Sequence, residues 1–106
     1  MNIPERVGNL SRRAKFEALA EEAGELEHAA QKVQRILNGE NPTPVPLWQA
    51  LRDVREEVGD VWCCLAALEL DDLEAITTDA APKMQRWEDR LREAGGGRSE
   101  TRSQKP

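Results

Sequence analysis

Glu21-Glu22-Ala23-Gly24-Glu25-Leu26 returns almost unchanged as Glu56-Glu57-Val58-Gly59-Asp60-Val61. Each stretch holds two acids three positions apart, with a glycine just before the second. Residues three or four apart share a face of an α-helix, so Glu22 falls beside Glu25 and Glu57 beside Asp60. The spacing predicts two acidic helices. Brought side by side, they make a nest of four carboxylates that multivalent cations would neutralise.

The residues around each stretch support the helical reading. From about 11 to 37, Phe16, Leu19, Ala23, Leu26, Ala30, Val33 and Leu37 recur at gaps of three and four. Asn9 or Ser11 is the candidate N-cap, and Asn38-Gly39 the stop. Residues 38–46 carry Pro42, Pro44 and Pro46, which predicts a stiff, extended connection. A second helix follows over about 47–69, with Leu47, Ala50, Leu51, Val54, Val58, Val61, Leu65 and Leu68 as its apolar positions.

Asp71-Asp72 predicts a cap for a third segment over about 72–94, with Leu73, Ile76, Ala80, Met84, Trp87 and Leu91 as its stripe. Pro82 inside this segment predicts two helical pieces meeting near 80. Gly95-Gly96-Gly97 predicts the end of order and a disordered tail over 95–106. No stretch reads as a strand. The expected architecture is all-α: one helical domain over 1–94, a bundle completed by homo-oligomerisation because so short a chain buries little core alone.

Charge narrows the partners. The net charge is −5 over 106 residues; 95–106 contributes +2, which leaves −7 on 1–94. Such a body is not expected to bind nucleic acid through its general field. No apolar run reaches membrane-spanning length, and the N-terminus lacks a signal-peptide apolar region, so no membrane partner and a cytoplasmic location are expected. The adjacent Cys63 and Cys64 read as buried thiols of a reducing compartment.

The acidic faces are not ordinary surface. Elsewhere the chain pairs charges at four residues, as in Arg13 with Glu17, Arg52 with Glu56, and Glu88 with Arg92. Glu22, Glu25, Glu57 and Asp60 have no Lys or Arg at three or four. Instead Glu21–Glu25, Asp53–Glu57 and Glu56–Asp60 are like-charge pairs, each costing about 0.2–0.5 kcal/mol on an isolated helix. At about 100° per residue both acidic clusters lie at the edge of the buried stripe, where bound cations would offset the repulsion. All-oxygen ligands suit Mg²⁺ or Mn²⁺. Gly24 and Gly59 are expected to allow close helix packing beside the site.

With its paired motifs Glu22-Ala-Gly-Glu25 and Glu57-Val-Gly-Asp60, the chain resembles the all-α nucleoside triphosphate pyrophosphohydrolases, the MazG-like superfamily. Lys32 after the first motif and Lys83-Met84-Gln85-Arg86-Trp87 extend the likeness over 15–92. Short forms of this kind are frequent in phages and bacteria. Ala81-Pro82 departs from the many relatives that carry an Asn just before the distal Lys.

The resemblance implies Mg²⁺- or Mn²⁺-dependent hydrolysis of a (d)NTP to (d)NMP and pyrophosphate by water attack on the α-phosphorus. A purine substrate such as dGTP, a nucleotide-pool role and a homodimer or homotetramer go with it. It makes Glu22, Glu25, Glu57 and Asp60 the metal ligands. Glu21 becomes a further ligand or the residue that orients the attacking water, with Glu22 beside it.

Lys32, Lys83 and Arg86 are candidate phosphate contacts, and Trp48 is a candidate to stack the base. Trp62 is expected in a helix or subunit contact, and Trp87 in the core. His28 is the only histidine, which argues against His-based triads and His-rich zinc sites. Glu25-x-x-His28 is half of a di-iron signature, but the second helix has no matching half. The rival expectation from another class is a non-catalytic helical interaction module that keeps the fold.

Overall fold

The computed structural model describes residues 1–40 and 45–95. The prolines at 42 and 44 lie outside the described residues, as does the tail expected over 95–106 except Gly95, which closes the last helix. Among the described residues there are four helices and no strand: α1 (Glu5–Gly8), α2 (Arg12–Leu37), α3 (Leu47–Ala67) and α4 (Leu73–Gly95).

Local chemistry sets most of the helix ends. The Ser11 hydroxyl accepts from the Ala14 N–H at 3.0 Å and starts α2. At its far end Glu40 N–H donates to the Arg35 carbonyl and Gly39 N–H to Ile36, with Gly39 at φ 72°. This pair of bonds is a Schellman closure, which needs a left-handed residue where glycine stands. The same closure ends α3: Leu70 N–H donates to Leu65 and Glu69 N–H to Ala66. Here the left-handed residue is Glu69, at φ 60°. It stops α3 at Ala67, two residues short of the predicted end.

The Asp72 carboxylate accepts from Ala75 N–H at 3.1 Å and caps α4. Contrary to the two-piece expectation, α4 runs unbroken through Pro82. A proline removes one backbone donor, and the good helix formers Ala80, Ala81, Lys83 and Met84 on either side carry the helix past it. The single turn α1 was not foreseen in the lead-in. Lys15 Nζ donates to the carbonyl of Gly8 at 3.0 Å and ties that turn to α2.

Met1–Asp71 form one compact unit, and α4 belongs to a second. Within the first, α2 packs along α3. The pairing is antiparallel, because the end of α2 (Arg35) shares a cleft with the start of α3 (Ala50), while Ala18 shares a hollow with Cys63 and Cys64. Among the described residues only Ala50 and Ala66 are buried. Phe16, Leu51 and Val58 remain exposed on the hairpin, as do Leu73, Met84 and Leu91 on α4. Trp87, expected in the core, is 55% exposed.

Candidate metal centre

The half-buried positions of α2 include Ala18, Leu19, Glu22, Leu26, Ala29, Val33 and Ile36; those of α3 include Val54, Glu57, Val61 and Leu65. Glu22 and Glu57 thus stand inside the stripes along which the helices pack, not at their edges as the helical projection placed them. Glu25 and Asp60 are exposed beside them. The antiparallel pairing brings the two motifs to the same level of the hairpin.

One carboxylate oxygen each of Glu22, Glu57 and Asp60 lies within 4.8 Å of the others. Around octahedral Mg²⁺ opposite oxygens are about 4.2 Å apart and adjacent ones about 3.0 Å, so the three side chains would draw inward to hold one ion. The donor set is hard and anionic, which fits Mg²⁺ or Mn²⁺. Glu25 is outside this trio but close enough for its charge to act on Glu57.

The Glu57 carboxyl is held above the usual carboxylate range. Partial removal from water comes first, followed by the like charges of Asp60, Glu25 and Glu22. The Cys64 thiol is also pushed up, by burial and then by Glu22, Cys63 and Asp60, so it favours the protonated, unreactive form. Both cysteines are free thiols; Cys63, expected to be buried, is exposed. The apolar run around it is too continuous to show which thiol faces out.

The other predicted residues divide. Lys32 is half-buried and lines a cleft of about 320 Å³ that adjoins the acids through Glu25 and Glu57. Glu21 is exposed and is neither in the close trio nor in that cleft lining. Trp48 is 64% exposed and does not line that cleft. Lys83 and Arg86 are exposed on α4. Trp62 is half-buried on α3.

Four ionisable cleft residues, His28, Arg35, Asp53 and Glu56, lay outside the predicted site. For His28 and Arg35 the available signal was their offset from Lys32, four residues before and three after, which sets all three along one side of α2.

The packing role expected of Gly24 and Gly59 is not met within this chain. A Cβ at either position would touch nothing within 4 Å.

Compared with protein families, with curated proteins and with solved structures, the chain matches none. Among the described residues no helix is long and apolar enough to cross a membrane.

Proposed function

We propose that the protein is a Mg²⁺- or Mn²⁺-dependent pyrophosphohydrolase that converts a nucleoside triphosphate, a purine such as dGTP among the candidates, to its monophosphate and pyrophosphate. The observation that carries this reading is the convergence of Glu22, Glu57 and Asp60 oxygens from two helices to within 4.8 Å. Three like charges at that distance repel one another, and helices that needed only to pack would place apolar residues at positions 22 and 57.

Glu22, Glu57 and Asp60 would hold the cation, with Glu25 completing the ligand set. A divalent ion held there would polarise phosphate oxygens and make a coordinated water more acidic. Glu21, exposed and next to Glu22 in the chain, would be a further ligand or the residue that orients the attacking water. Lys32 lines the adjoining cleft and supplies positive charge to the phosphates as the bond from the α-phosphorus to the bridging oxygen breaks. The exposed apolar residues Phe16, Leu51 and Val58 and the stripe of α4 support association into a homodimer or homotetramer. A partner copy would then close the base pocket. Those same apolar faces favour the second reading, a non-catalytic interaction module.

The test is incubation with each common NTP and dNTP in Mn²⁺, with the products resolved. Monophosphate plus pyrophosphate is the expected outcome. Diphosphate plus orthophosphate would contradict attack at the α-phosphorus. No turnover together with no thermal shift on adding metal would favour the interaction module.

A further inference from the structure

Beyond the acids, the cleft continues along α2 past three basic side chains. His28, Lys32 and Arg35 line it at successive offsets of four and three residues, facing Asp53 and Glu56 of α3. Among the described residues none of the three is ion-paired, while Glu56 across the cleft is held by Arg52 at 3.4 Å. A basic row with no ion pair among the described residues, beside so many carboxylates, is available to an anion.

The row has a direction. Lys32 lies about 15 Å beyond Glu22, the α2 member of the trio, along the helix axis, and Arg35 about 20 Å. Helical side chains lean toward the helix N-terminus, so both long side chains reach back from those positions toward the acids. An anion with one end at the acidic trio therefore meets Lys32 first and Arg35 last. Arginine presents a planar fork that matches two oxygens of one phosphate, which lysine does not.

We propose that Arg35 is a specificity-determining residue that reads the terminal phosphate. The polyphosphate would lie along α2 with its attacked end at Glu22, Glu57 and Asp60 and its distal phosphates beside Lys32 and Arg35. The site would then measure phosphate-chain length and prefer triphosphates to diphosphates. This placement rests on the hydrolase reading. The plain alternative is that Arg35, in the last turn of α2, only complements the helix dipole.

The experiment measures binding of inorganic tripolyphosphate and of pyrophosphate in Mg²⁺ to the full chain and to Arg35→Gln and Arg35→Lys. Turnover of dNTPs is followed in parallel. Arg35→Gln is expected to weaken tripolyphosphate between about ten- and a hundredfold, the worth of a charge-assisted hydrogen bond, and pyrophosphate much less. Arg35→Lys should fall between, because it keeps the charge and loses the fork.

Equal binding of both anions by wild type and Arg35→Gln overturns the proposal. So does a loss confined to thermal stability. Arg35-dependent tripolyphosphate binding without turnover would sink the hydrolase reading and leave the chain-length reader standing. Turnover with unchanged dNTP affinity in Arg35→Gln would do the reverse.

Discussion

Glu22 and Glu57 meet across the seam of the α2–α3 hairpin, each inside the face its helix turns toward the other. Apolar side chains would pack there without strain. Two carboxylates stand there instead, and at Glu57 desolvation and the like charges of Asp60, Glu25 and Glu22 work against the ionised form. The arrangement favours whatever neutralises it, and that can be a proton or a cation.

The proton arm gives a pH prediction. Glu57 binds its proton more tightly folded than unfolded, because its folded pKa is raised. The metal-free protein therefore loses stability as pH rises from the unfolded value, about 4.3, through the raised folded one. The penalty is absent below that window and complete above it. Glu57→Gln removes the group, so without metal it should melt above wild type at neutral pH, and the gap should close on acidification. Adding Mg²⁺ should raise the wild-type Tm and leave Glu57→Gln unmoved. A Glu57→Gln protein that melts below wild type at neutral pH would show that the carboxylate is not strained.

The cation arm concerns Asp60 and Glu22. Asp60 is exposed, so Asp60→Asn removes a ligand charge with little effect on packing. Turnover should fall at least about a hundredfold, because even residues that only support a metal ligand cost ten- to a hundredfold when changed. Circular dichroism should be unaltered, and the metal-induced thermal shift should shrink. Glu22→Gln should behave alike. Either variant retaining full activity would remove that residue from the ligand set.

Much of this was legible from the chain, for local reasons. Ser11, Asn38-Gly39 and Asp72 each act on a backbone group a few residues away, and they set the ends as read. The two motifs declared their own convergence. What escaped was either strained or dependent on two helices at once. Nothing in the sequence says that Glu69 takes a left-handed conformation, since acids seldom do. Pro82 carries the right signal for a break, and its neighbours overrule it. The stripe positions of Glu22 and Glu57, and the place of His28 and Arg35 in the cleft, follow from the antiparallel register, which no single-helix projection contains.

Gly24 and Gly59 offer a test of what covers the hairpin. A helical glycine costs about 0.5–1 kcal/mol relative to alanine. With nothing within 4 Å of a new Cβ, Gly24→Ala and Gly59→Ala should each stabilise the protein by that amount in urea unfolding. A loss of stability instead, together with a smaller particle by light scattering, would mean that a second copy packs closely on these positions.

The two Schellman closures predict opposite responses to opposite exchanges. Gly39 and Glu69 occupy the same left-handed position after α2 and α3, at φ 72° and 60°. A side chain in that conformation costs about 1–2 kcal/mol, part of which a glycine gives back through its greater freedom in the unfolded chain. Gly39→Ala should therefore destabilise by about 1 kcal/mol, and Glu69→Gly should stabilise by up to about the same. Both are measurable by chemical unfolding, with turnover as the control, because neither residue lines the cleft or belongs to the acidic trio. A destabilised Glu69→Gly would mean that the Glu69 side chain makes a contact worth more than the strain of its backbone, and that the turn after α3 is held by more than its two hydrogen bonds.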